Sequence, residues 1–133
     1  MQSLACTGRS GVQQTFDYRV SYEALSGGFW VRVYSRPMPA NGDSFELFLA
    51  ELDSNTLRVT MAHHHGRPEY VAMGIPEAIL PVLKRELGKS IVSSPTSAPG
   101  GVYRTPAATK YWNRLCSISA ASYDTDSDVY TVI

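Results

Sequence analysis

The sequence predicts a mixed α/β domain in which an antiparallel meander of strands is followed by helix, strand, helix and a closing pair of strands. Three observations predict it. The first half of the 133-residue chain alternates large apolar with polar residues in short runs broken by Gly, Pro, Asn and Asp, the pattern of half-buried strands joined by short links. Residues Ile75, Ile79, Leu83 and Leu87 instead recur every fourth position, the spacing of one helical face. Beyond that helix, short strand-like runs flank a second segment, Pro106 to Leu115, that begins like a helix. A chain of this length fits one domain with a sizeable core, so residues 1–133 are read as one unit.

In chain order, residues 1–12 are small, polar and glycine-containing and read as a flexible arm or a strap laid on the domain. Phe16 to Tyr22 alternates and ends at Ser26-Gly27-Gly28; Phe29 to Tyr34 is aromatic and β-branched and ends in the turn around Pro37, Pro39 and Asn41-Gly42-Asp43. Phe45 to Leu52 partly satisfies helical spacing, but the turn signals on both sides and its shortness favour a strand. Thr56 to Met61 follows the turn Asp53-Ser54-Asn55 and completes the meander.

The helix from Ile75 ends at Gly88. Pro76 suits its first turn, whereas Pro81 lies inside, is expected to kink or split the helix, and costs about 3 kcal/mol if uncompensated. Ser90 to Ser94 reads as a short strand and 95–101 as a loop. Thr105-Pro106 then supplies a capping hydroxyl and a proline at the first helical position. Ser119 to Tyr123 and Val129 to Ile133 close the domain as two strands around Asp124-Thr125-Asp126-Ser127.

Composition excludes several classes of function. Twelve basic and twelve acidic side chains give zero formal charge, so no global field attracts nucleic acid or an anionic membrane. No apolar run approaches the roughly 20 residues of a membrane span. Ser3-Leu4-Ala5-Cys6 has neither the basic start nor the apolar run of a secretion signal. Cys6 and Cys116 have no metal or redox spacing and read as thiols of a reducing cytoplasm. Gly-x-Ser-x-Gly elbows, Walker loops and Cys-x-x-Cys pairs are missing from the sequence.

One stretch points to a chemistry. Pro68-Glu69-Tyr70-Val71-Ala72-Met73-Gly74-Ile75-Pro76, the helix it opens, the strand Ile91-Val92 and the pattern Ala108/Tyr111/Trp112/Leu115 together resemble the cofactor-binding half of the GCN5-related N-acetyltransferase family. There a Pro-Glu-Tyr-Arg-Gly-Lys-Gly-Ile-Gly type of turn presents backbone N–H groups and a helix N-terminus to the pyrophosphate of coenzyme A, an arrangement that favours anions. The resemblance covers Trp30 to Ile133, with the N-terminal side shortened. It implies a central mixed sheet with helices on both faces, acetyl-CoA as cofactor, and transfer of an acyl group to a primary amine, on a small molecule or a protein, between two splayed strands near Met61 and Ile91. The alternative is a non-catalytic protein that keeps the scaffold and engages a protein partner through its cleft or aromatic face.

Carried over residue by residue, the resemblance places Met73, Gly74 and Ile75 at the pyrophosphate, with Val92 and Ser93 along the cofactor. Val71 stands where the family carries Arg or Gln, and Pro76 replaces a small residue and removes an N–H. Trp112 aligns with the family's thiolate-protonating Tyr, but an indole is no general acid; Tyr111 beside it becomes the candidate. Glu46, on a central strand, and His63 are the candidate bases. His63-His64-His65 is also the one conspicuous histidine run. Alternation on an extended strand lets His63 and His65 converge, and with no Cys or Asp at helpful spacing nearby the run is read as metal-free.

Overall fold

Alternation in the first half produces strands that each bury one side. The structure, a computed structural model, describes residues 1–97 and 102–133. Five strands run in sequence: β1 (Gln2–Thr7), β2 (Gln13–Glu23), β3 (Gly28–Tyr34), β4 (Phe45–Glu51) and β5 (Thr56–His63). Each pairs antiparallel with the next. Then follow α1 (Ile75–Leu87), β6 (Ser90–Ser93), α2 (Pro106–Ser117), β7 (Ala121–Asp124) and β8 (Val129–Val132). All eight strands form one mixed sheet in the order β1-β2-β3-β4-β5-β6-β8-β7. The β5–β6 pair is parallel, with α1 as its crossover, as parallel neighbours require.

Three readings change, two of them in the sheet and its faces and one at Pro81. Residues 2–7, expected within a flexible arm, form edge strand β1, with Leu4 and Cys6 buried. Only two apolar residues mark its inner side, too few to stand out from the small, polar segment around them. The helices, expected on both faces, lie on one. Phe16, Tyr18, Val31, Val33, Leu47, Leu49, Leu57, Ile91 and Tyr130 from the sheet share a single core with Ile79, Leu80 and Leu83 of α1 and Tyr111, Trp112 and Leu115 of α2. Contacts from α1 reach β1 at one end of the strand order and β6 and β8 near the other. The sheet therefore curls around the helices. Nothing among the described residues packs a helix against the opposite face, which carries Trp30, Arg32, Glu46 and Phe48.

Pro81 does not split α1, which runs unbroken from Ile75 to Leu87. Ile75, Ile79, Leu80 and Leu83 are fully buried, and each contributes about 2 kcal/mol by leaving water. Together they outweigh the ~3 kcal/mol cost of an interior proline. In α2 the Thr105 hydroxyl accepts from the Ala108 N–H at 3.2 Å, as the capping pattern predicts. Both cysteines are free thiols, and burial, with Glu77 nearby, pushes that of Cys6 up to about 12. No helix among the described residues is long and apolar enough to cross a membrane.

Candidate functional site

The parallel pair β5–β6 is bonded only from Thr56↔Ser90 to Val59↔Ser93. Beyond that rung the strands part. β5 continues to His63, while β6 ends at Ser93, held on its other edge by β8, where Val92 pairs with Thr131 and the Ser93 Oγ accepts from the Tyr130 N–H at 2.9 Å. The Ser94 hydroxyl donates to the Val59 carbonyl at 3.0 Å and closes the fork at its apex. A slot thus opens beside Met61.

On its other edge β5 carries an irregularity. Phe48 faces Met61, but Leu49 faces Val59, so Thr60 is an extra residue, a bulge that re-aims the side chains beyond it. Met61 and His63 consequently stand on the sheet face away from the helices, opposite Phe48 and Glu46. Thr60, Met61, Ala62 and His63 all line the slot. Consecutive strand residues point to opposite faces, so the opening runs through the sheet.

The slot belongs to a cleft of about 900 Å³, whose helix-side wall includes Met73, Gly74, Pro76, Tyr111 and Trp112. Its mouth is the turn before α1. Gly74 has φ 73°, and a Cβ there would lie 2.1 Å from the Thr7 carbonyl oxygen, so only glycine fits between β1 and α1. The N–H groups of Met73, Gly74 and Ile75 make no hydrogen bond among the described residues. Glu77 also lines this mouth, and its carboxylate accepts from Arg114 Nε at 2.9 Å.

The candidate residues divide between cleft and scaffold. Met73, Gly74, Tyr111 and His63 line the cleft. Ile75 is buried in the core and does not line the cleft. Val92 and Ser93 do not line the cleft; the neighbouring Ser94 does. Glu46 lies on the outer sheet face, held by His65 Nε2 at 2.6 Å and Arg32 Nε at 3.3 Å. His63 and His65 converge, ring centroids 4.3 Å apart. His63 Nδ1 accepts from the His65 N–H at 3.1 Å, which leaves the neutral ring's proton on Nε2. No group of three or more His, Cys, Asp or Glu among the described residues is arranged to hold a metal ion.

Tyr111 is buried, and that burial pushes its hydroxyl well above the usual phenol range. Trp112 packs behind it and stacks on Tyr130 at 5.7 Å. Arg104 anchors this wall. Its guanidinium lies 4.8 Å from the Tyr130 ring centroid, and its nitrogens donate to Thr109 Oγ1 at 2.8 Å, the Ser94 carbonyl at 3.0 Å and Asp128 Oδ1 at 2.7 Å.

Sequence reasoning missed Arg9, Arg104 and Arg114, all of which line the cleft. A lone arginine in a polar segment carries no local signal. Only the fold brings these three, from the first, penultimate and last stretches of the cleft wall, to one opening. No protein-family model, curated protein or solved structure matches the chain.

Proposed function

We propose that the chain is an acetyl-CoA-dependent N-acyltransferase of the GCN5-related type, acting on a primary amine. The observation that carries this reading is the fork of β5 and β6 after Val59↔Ser93, which opens a slot under the N-terminal turn of α1. The element order supports it too, an antiparallel meander followed by helix, strand, helix and a strand pair. The donors present fit the cofactor. Two unpaired N–H groups at Met73 and Gly74, which line the cleft, suit a diphosphate, and the free edge of Thr60 to His63 offers backbone groups to an extended chain with amides of its own.

When bound, acetyl-CoA supplies an acyl carbon activated as a thioester. The chain's residues hold and move protons around it. His63, at the rim of the slot, takes up the amine's proton at Nε2 once its ring carries the other proton on Nδ1. That tautomer gives up the 3.1 Å bond from the His65 N–H, at about 1 kcal/mol. Glu46, paired with His65 and placed opposite His63 across the strands, offsets the positive charge that develops. Tyr111, kept protonated by burial, would be the group that supplies a proton to the departing thiol.

Thermal denaturation with and without acetyl-CoA tests the reading. A ligand at about 100 times its Kd stabilises the fold by about 2.7 kcal/mol, several degrees in Tm for a domain of this size. The absence of both a thermal shift and a calorimetric signal at millimolar acetyl-CoA would sink it.

A further inference from the structure

We propose that Arg9, carried on the turn between β1 and β2, is the cation that holds the diphosphate of acetyl-CoA at the mouth of the cleft. The assignment rests on the acyltransferase reading. Its geometry comes from the N-terminal hairpin, which packs against the turn before α1. The Arg9 N–H donates to the Ala72 carbonyl at 3.1 Å. A Cβ on Gly8 would lie 3.2 Å from that same carbonyl oxygen, and one on Gly74 would lie 2.1 Å from the Thr7 carbonyl. Two backbones this close leave the Arg9 side chain at the rim, where it lines the cleft.

Charge balance at the mouth singles out Arg9. The turn contributes Val71, which is neutral, and Pro76, which has no N–H to give. Glu77 lines the mouth with a negative charge, and Arg114 is committed to it at 2.9 Å. None of the ion pairs among the described residues involves Arg9. An exposed guanidinium with no acidic partner, beside the open N–H groups of Met73 and Gly74, is placed to make paired bonds to phosphate oxygens. Without it, the Glu77–Arg114 pair leaves the mouth with no net charge to offer a dianion.

The test compares two acyl donors, acetyl-CoA and S-acetyl-pantetheine, which lacks the nucleotide diphosphate, on wild type, Arg9→Ala, Arg9→Lys and Arg9→Glu. Calorimetry is expected to show acetyl-CoA bound about tenfold more weakly by Arg9→Ala, more weakly still by Arg9→Glu, and with intermediate affinity by Arg9→Lys, which keeps the charge but not the paired bonds. S-acetyl-pantetheine affinity stays the same in all four. The backbone bond to Ala72 survives each change, so unaltered Tm values in the absence of ligand are expected as the folding control. Unchanged acetyl-CoA affinity in Arg9→Ala, or an equal loss for both donors, overturns the assignment and leaves the acyltransferase reading standing. A wild-type chain that binds neither donor overturns both.

Discussion

Arg104 and Asp128 are joined twice: Nη2 donates to the Asp128 carboxylate at 2.7 Å, and Nη1 donates to the Asp128 backbone carbonyl at 3.0 Å. The Arg104 side chain is only 4% exposed, and it ties the segment before α2 to β6 and to the β7–β8 turn. Replacing it with Met leaves the Asp128 and Ser94 carbonyls without this donor and removes the charged partner of the Asp128 carboxylate, which Thr96 and Tyr123 still hold. A loss of about 3 kcal/mol is expected, read as a lower urea midpoint with an unchanged slope. Arg104→Lys recovers little, because one ammonium cannot span these partners. A cost below about 1 kcal/mol for Arg104→Met would contradict this anchoring role.

Asp128 makes the same anchor sensitive to acid. Hydrogen bonds from Thr96, then from Arg104, hold its carboxyl well below the usual carboxylate range. A depressed folded-state value means that the stabilisation is fully present above the unfolded value, about 3.9, and is lost as pH falls from there through the folded value. Unfolding free energies measured between pH 7 and pH 2 should therefore decline below about pH 4. Asp128→Asn, already weaker at neutral pH, should show a shallower decline.

Gly74→Ala addresses the seam between β1 and α1. The substitution meets a positive φ and a carbonyl oxygen 2.1 Å away. Strain of this kind costs about 1–3 kcal/mol, and relief requires β1 to move off. Amide exchange should accelerate in Gln2–Thr7 ahead of the rest of the sheet. Protection in β1 equal to that of wild type would show that the seam is not held in this way.

Tyr111→Phe separates acid catalysis from packing. Loss of one buried hydroxyl leaves the ring's contacts in place, so acetyl-CoA binding should persist. Turnover, by contrast, should fall about 10²–10⁴-fold. Equal rates for the two proteins would remove Tyr111 from the proton inventory.

Much of the fold was legible because its signals are local. The helix at Ile75–Leu87 matches its four-residue spacing to the residue, and Thr105-Pro106 marks the start of α2. Strand β1 was not legible, since Leu4 and Cys6 gain meaning only when β2 lies alongside. Pro81 misled for a related reason: its cost is local, whereas the burial of Ile79, Leu80 and Leu83 that offsets it belongs to the whole core. The site follows the same division. Gly74 and Tyr111 could be picked out from their neighbours in sequence; His63 and His65 do meet, but through the turn that follows β5, where His65 takes a positive φ, and not by strand alternation. Which face His63 occupies depends on the bulge at Thr60, and Arg9 reaches the cleft only through the pairing of a strand that the sequence hardly marks.

The fork at Val59 makes the sheet a wall with a window in it. In the proposed reaction, a donor lodged on the helix side and an amine arriving at His63 from the other side need not queue for one doorway. Neither has to depart before the second arrives, and no residue has to store the acyl group between visits. Initial-rate lines at several fixed donor concentrations would then intersect rather than run parallel.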